Sequence, residues 1–493
     1  VVLGEHVLEA LSALHAEHRF ALIEFPDRSA LGLRAVQSKA AGDALLDVPL
    51  AVKLHGPSRW QRECNLEQRS APRDLKLEFC ERYAFERADI QLGISDDMFD
   101  YARGIDWAVR NDAAVATDPE PGDERVEAVY RGLVGRRLRP PVARSSDPPT
   151  VTIAVAHFNH DRFLPRALAS LAAQTRPADE VIVVDDGSTS ERARQVFSEQ
   201  EADYPEWAFV RQENAGPGAA RNRGLERATG TYFLPFDSDN VATPRLVERL
   251  LVAMERNPSR AATTCHNLAF VDDADIEAGD FTYRYSPSGG PRISACLENV
   301  YGDTCALFRA KSLRSVGGFE GHRWSPHEDW ETFAKMSLRG LEVEVLPQPL
   351  FYYRTGAGGR LQALTADPAI LYRLRAHLID EFFADADLTP RERRDLWECL
   401  QAFDHFVTEG VNARLKRQRE WHDSQMADLH AYRLAQLEEL RVQHEVEVEA
   451  QRTRAEAAEG ELVALTAITP RRLLRRALRS ARSRVSRSPG PGS

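Results

Sequence analysis

Two pairs of aspartates stand where strands are expected to end. Asp185 and Asp186 directly follow the apolar run VIVV and precede Gly187-Ser188, and Asp237 and Asp239 follow YFLPF in the same way. In an open parallel sheet, ligands sit beyond the carboxyl ends of the strands, where side chains and helix N-termini converge. Two neighbouring strand ends of this kind put four carboxylates in one crevice, which is costly unless a cation or hydrogen-bond donors occupy it. A hard divalent ion with a diphosphate is the natural occupant. Mg2+ or Mn2+ takes one or two carboxylates and completes its shell from phosphate and water. Each motif alone also reads as an ordinary turn after a strand; the combination is what points to chemistry. A calcium loop is excluded, because Ala242 stands where an EF-hand starting at Asp237 needs glycine.

Glycines and arginines follow the first acid pair. Gly216 and Gly218 precede a helical stretch, where free backbone N–H groups and the helix dipole favour an anion. Arg221 and Arg223 lie on that helix, either turned toward phosphate or acceptor or simply solvated. Gly317-Gly318 reads as a close backbone approach or as a plain turn.

These residues need a scaffold, and residues 150–366 supply an α/β domain. Apolar strands (VTIAVAHFN, EVIVVDDGS, WAFVRQEN, TYFLPFDSDN) alternate with amphipathic helices over short connections, which indicates a parallel, helix-covered sheet. Ahead of it, residues 1–118 mix strand-like and helical runs, and the proline- and arginine-rich stretch 119–149 reads as a linker with a short helix near 125–133. A helical extension, 367–412, follows. Residues 413–466 are dense in Ala, Glu, Arg, Gln and Leu, the composition of a long helix; its imperfect heptad leaves a dimeric coiled coil open. The tail 467–493 holds eight arginines and no acid from Arg471 onward, with one apolar face. It suits an anionic membrane surface, or else a solvated or protein-docking segment.

Composition narrows the function classes. A net charge of −11 argues against a dedicated nucleic-acid binder. No apolar run approaches the roughly 20 residues that span a bilayer, and no secretory signal follows Val1. The six scattered cysteines form no CxxC pair, as expected of reduced thiols in a cytoplasmic protein.

In order and spacing, five stretches resemble the family 2 glycosyltransferases, inverting nucleotide-sugar enzymes of the GT-A fold. They are TIAVAHFNHDRFLPRALASLAAQT, EVIVVDDGST, QENAGPGAARNRGLERATGTYFLPFDSDN, VGGFEGHRWSPHEDWETFAKMSLRG and LEVEVLPQPLFYYR, spread over residues 150–355. The resemblance implies a nucleotide-sugar-binding, Rossmann-like domain that needs Mn2+ or Mg2+. It places Asn159, Asp185, Asp186, Gly216, Arg221 and Asp237 at the donor nucleotide, and Asp237 and Asp239 at the metal. It places Gly317, Gly318, Phe319 and Trp324 at the acceptor, and makes Asp329, with Glu328 beside it, the general base. An apolar neighbourhood formed by Trp324 and Trp330 would raise a carboxylate pKa toward that task. The chain departs from the family pattern at Ala156-His157-Phe158-Asn159, at Asn240 in place of a third acid, and after Tyr353-Arg354, so the metal shell rests on Asp239 and water.

A second, weaker resemblance covers 1–118. IEFPDRSALGLRAVQSK, PLAVKLHGPSRWQRECN and CERYAFERADIQLGISDDMFDYARGIDW are similar to the N-terminal half of the family 4, GT-B-type glycosyltransferases. This implies a partial Rossmann-like module, with His55 as an acceptor contact or a structural strand-end histidine. The expected function is transfer of a sugar from a nucleoside diphosphate sugar to a saccharide or lipid-linked saccharide. The setting would be bacterial surface polysaccharide synthesis at the inner face of the plasma membrane. The competing expectation is a non-catalytic scaffold of a polysaccharide assembly complex.

Overall fold

The computed structural model describes residues 2–67, 72–117, 124–134, 148–320, 327–356, 373 and 376–378, all within one compact unit, Val1–Phe406. The long helix or coiled coil at 413–466, the basic tail, the dimer and membrane contact expected of them, and nearly all of the 367–412 extension lie outside the described residues.

The amino-terminal module runs α1 (Val2–His18), β1 (Ile23–Pro26), α2 (Leu33–Ala41), β2 (Leu50–Leu54), α3 (Ser58–Cys64), α4 (Pro72–Arg87), β3 (Ile90–Gly93), α5 (Asp96–Gly104), β4 (Ala114–Val115) and α6 (Glu124–Val134). Its four strands pair in chain order and all in parallel. Phe25, Val52, Leu54, Phe85 and Phe99 fill its core; each such side chain contributes about 1.5–3 kcal/mol by leaving water. The described part of the linker is α6, the short helix expected there.

The second module begins with β5 (Val151–His157), α7 (Leu164–Ala172), β6 (Glu180–Asp185), α8 (Glu191–Asp203), β7 (Ala208–Arg211), α9 (Pro217–Arg227) and β8 (Tyr232–Asp237). It continues through β9 (Val241–Ala242), α10 (Leu246–Glu255), β10 (Arg260–Phe270), α11 (Asp273–Ala278), β11 (Tyr283–Tyr285), α12 (Arg292–Leu297), β12 (Leu307–Arg309), α13 (Ala310–Ser315), α14 (Glu328–Leu338) and β13 (Glu342–Arg354). The sheet order is β7-β6-β5-β8-β12-β10-β13-β9, with β11 on β10.

Only the first half of this sheet, β7-β6-β5-β8, is parallel throughout, as the strand–helix alternation requires. Beyond β8 the sheet is mixed. The short β12 follows a loop rather than a crossover helix and enters antiparallel to both β8 and β10. The fully parallel sheet expected from the sequence therefore stops at β8.

Alternation along β5 sorts its side chains into two layers. Ile153 and Val155 pack under α7 and α10 with Leu168, Leu250 and Met254. Ala154 and Ala156 face α9, which lies so close that a Cβ added at Gly224 would sit 2.5 Å from the Ala154 Cβ. That approach brings the polar side of α9 to the carboxyl ends of β5 and β8.

The two modules are joined by polar contacts. Tyr83 and Arg87 on α4 donate to Glu344 and Glu342 on β13 at 2.7 and 2.8 Å, and the Asp43 carboxylate accepts from Gln348 at 2.6 Å and from Arg249.

Candidate active site

A cavity of about 880 Å3 opens where β5 and β8 end and α9 begins. Its wall holds Asp186, Gly216, Arg221, Asp237, Asp239, Glu328 and Asp329. Acids read from motifs about 140 residues apart thus share one cleft.

Asp186 sits just past the end of β6, and its carboxylate is already engaged. It accepts from the backbone N–H groups of Ala215 (2.9 Å) and Gly216 (2.8 Å) and from Gln212 (2.8 Å). These bonds hold the glycine loop at the start of α9, where Gly216 has φ 98° and Pro217 opens the helix. Asp185 and Asn159 do not line the cavity. Asp185 accepts from the Ser188 hydroxyl and N–H. Asn159, in the left-handed region at φ 53°, accepts from the N–H groups of Thr189 and Ser190. Both shape the loop between β6 and α8.

Arg221 is the electrostatic centre of the cleft. It is only 4 % exposed, and donates to Asp237 at 2.6 Å and to Glu328 at 2.8 Å. Its pKa is raised: the two carboxylates outweigh the opposing effect of burial. The solvated reading of Arg221 fails, because α9 packs tightly at Gly224, one turn on. Arg223 instead pairs with Glu226 on the surface.

Asp239 sits two residues beyond Asp237, and its carboxyl is held above the ordinary range, by burial first and by the neighbouring Asp237 charge second. A divalent cation neutralises a carboxylate pair placed in this way, so Asp237 and Asp239 fit the expected metal. Arg354, stacked between the rings of Phe163 and Phe270, donates to the Asp239 carbonyl at 3.0 Å and fixes that loop. A separate trio of potential ligands among the described residues is Glu320, Glu331 and His377. There the Lys335 ammonium already pairs with both glutamates.

Asp329 lies in the first turn of α14. Trp330 anchors the helix in the core and donates from its indole to the Ala295 carbonyl at 2.5 Å. The Asp329 carboxylate accepts from the Trp330 N–H at 2.7 Å and from the Asn299 amide at 3.1 Å. Its pKa is pushed up to about 8, chiefly by burial, then by the charges of Asp303 and Glu328. Asp303 also lines the cavity; burial, and next the Asp237 charge, push its own pKa up to about 7. Sequence reasoning missed Asp303 and Asn299, which sit in a loop without periodicity or motif.

The expected acceptor residues Gly317, Gly318 and Phe319 are packed behind the cleft instead of lining it. Asn222 on α9 holds Phe319 by both its N–H and its carbonyl, at 2.8 and 2.7 Å. A Cβ at Gly318 would lie 2.4 Å from the Asn222 amide oxygen, so the glycine is needed for that clasp. Phe319 is buried in the core. Trp324 lies outside the described residues. The described wall also carries Asn267, Tyr283, Tyr285 and Tyr353, of which only Tyr353 lies in one of the five stretches.

The domain that carries this cleft is similar to known proteins. Residues 152–317 match glycosyl transferase family 2. Two relatives extend the similarity beyond the family 2 stretch. An uncharacterized glycosyltransferase of Nostoc sp. is 27% identical over 228 residues, 44% of this chain and 68% of its own length. The amylovoran biosynthesis glycosyltransferase AmsE of Erwinia amylovora is 27% identical over 210 residues, 42% of this chain and 76% of that protein. Among solved structures, S. aureus TarS 1-349 in complex with UDP-GlcNAc aligns with a TM-score of 0.42 and 19% identity, covering 52% of this chain and 73% of that one. The domain that carries the cleft is a mixed α/β domain, and no described helix is long and apolar enough to cross a membrane.

Proposed function

We propose that the chain is an inverting glycosyltransferase of polysaccharide biosynthesis, moving a sugar from a nucleoside diphosphate sugar to a saccharide or lipid-linked saccharide acceptor. The observation that carries this reading is the shared cleft: Asp186, Asp237, Asp239 and Asp329 line one cavity at the carboxyl ends of the parallel strands. Asp186 holds the glycine loop against the donor nucleotide. Asp237 and Asp239 would hold a divalent cation, Mn2+ or Mg2+, which neutralises charge on the diphosphate when bound.

Asp329 takes the proton of the acceptor hydroxyl as its oxygen attacks the anomeric carbon. The new C–O bond forms on the face opposite the diphosphate, the old one breaks, and the nucleoside diphosphate leaves with the electron pair. Inversion follows from the single displacement. A carboxyl pushed up to about 8 is a stronger base than an ordinary aspartate, which suits a weakly acidic hydroxyl. Arg221 keeps Glu328 and Asp237 in register, so the base helix and the acid pair stay at fixed separation. The amino-terminal module, a parallel α/β unit, serves in this reading as a partial GT-B-like domain without transfer chemistry of its own.

The test is a panel of nucleoside diphosphates with Mn2+ or Mg2+ read by thermal shift, followed by nucleotide release from the matching nucleotide sugars. One nucleotide should raise the melting temperature only with metal present, and its sugar should turn over. A panel without any shift or release contradicts the assignment.

A further inference from the structure

We propose that the amino-terminal module is a working part of the acceptor site, with Arg34 and Glu5 holding from behind the short strand whose tyrosines face the acceptor. The inference rests on the glycosyltransferase reading and extends it to a segment of the chain that the family match does not cover.

The argument begins with β11. Its three residues pair with β10 at Asn267, Leu268 and Ala269. Successive side chains of a strand point to opposite faces. Tyr283 and Tyr285 line the cavity together with Asn267, so Arg284 faces away from it, on the side of His266. Three residues of pairing are a weak hold for an edge strand. A two-stranded attachment of this length has little independent stability.

Besides the bonds of Thr282 to Ala269 and of Gly289 to Val300 within the second module, the amino-terminal module supplies a hold of its own. Glu5 on α1 lies 3.4 Å from the Arg284 Nε, 3.3 Å from Arg34 and 3.6 Å from His266. Arg34 on α2 is fully buried. It donates to the Pro287 carbonyl at 2.8 Å, to the Ser286 carbonyl at 3.1 Å, and to the Gln37 side chain at 2.8 Å. Gln37 in turn donates to the Ser288 carbonyl at 3.0 Å. Three consecutive carbonyls directly after β11 are thus taken up by two side chains of one helix in the other module. Hydrogen bonds from a charged donor are the stronger kind, and a buried guanidinium stripped of such partners is costly. The cluster is therefore a committed contact that sets where β11, and with it both tyrosines, can stand.

The experiment uses the full chain with Arg34→Lys and, separately, Gln37→Leu. Lysine keeps the charge beside Glu5, but one ammonium cannot reach two carbonyls and Gln37 in the same fork geometry. The probes are the nucleotide sugar and the p-nitrophenyl hexoside that the wild-type chain uses fastest. The KM for the hexoside should rise about tenfold in Arg34→Lys, while the KM for the donor and donor hydrolysis without acceptor stay within about twofold. Amide hydrogen exchange in peptides covering 283–288 should quicken in both variants. Equal rises in the two KM values overturn the proposal, and so does exchange at 283–288 identical to wild type. A wild-type chain that neither transfers nor hydrolyses any nucleotide sugar sinks the glycosyltransferase reading. In that case the exchange result decides the brace by itself.

Discussion

Replacing Asp329 with asparagine should remove activity and add stability in the same variant. The carboxyl has been pushed from 3.8 up to about 8, so at pH 7 the folded chain keeps a proton that the unfolded chain releases. The sign follows from linkage: a raised acid costs nothing below its unfolded pKa, and the cost grows as pH rises until the folded pKa is passed. Roughly three pH units separate 3.8 from neutrality, which sets a ceiling of about 4 kcal/mol. Asp329 is only half-buried, and solvent screening should leave roughly 1–2 kcal/mol of this. The asparagine removes that cost and keeps an oxygen for the Asn299 amide. Without nucleotide or metal, its melting temperature should exceed wild type by a few degrees at pH 8, with the difference vanishing near pH 4, followed by scanning calorimetry. Transfer, read as nucleotide release, should fall about 10²–10⁴-fold. Wild-type-like transfer would reject the base assignment, and a variant less stable than wild type at pH 8 would refute the electrostatic reasoning.

Three further outcomes follow from the same geometry. The rate of transfer should rise with pH toward about 8, and Asp303→Asn should move that midpoint lower in a pH–rate profile, because the Asp303 charge helps hold Asp329 up. Arg221→Met strands the buried Glu328 carboxylate and the half-buried Asp237, so denaturant unfolding should show a loss of about 3 kcal/mol, with kcat falling more than donor KM. Gly224→Ala presses α9 off β5 and should cost about 1–3 kcal/mol by overpacking; an unchanged unfolding midpoint would contradict the close approach.

The acids were legible because aspartates at the ends of apolar strands leave few alternatives. Asp186, Asp237, Asp239 and Asp329 all stand in the cleft expected of them. The role of Arg221 was not legible: whether a helical arginine is buried depends on how close the helix packs, which Gly224 and Ala154 decide only in three dimensions. The packing of Gly318 and Phe319 against Asn222 was not legible either, because it depends on how α9 meets the loop after α13. Asp303, Asn299 and the two tyrosines of β11 come from loops and a three-residue edge strand, where neither periodicity nor motif marks a residue. The antiparallel pairings in the second half of the sheet were hidden in the same way, because β11 and β12 are too short to show a pattern.

The central claim is that the Asp237–Asp239 pair and Asp329 act on one donor from different sides of one cleft. Isothermal titration of the nucleoside diphosphate selected by thermal shift, with Mn2+ present, measures this most directly. Asp329→Asn should bind it as wild type does, and Asp239→Ala should lose at least about tenfold in affinity, equivalent to 1.4 kcal/mol. Equal binding by wild type and Asp239→Ala, or loss of binding in Asp329→Asn alone, would contradict the account.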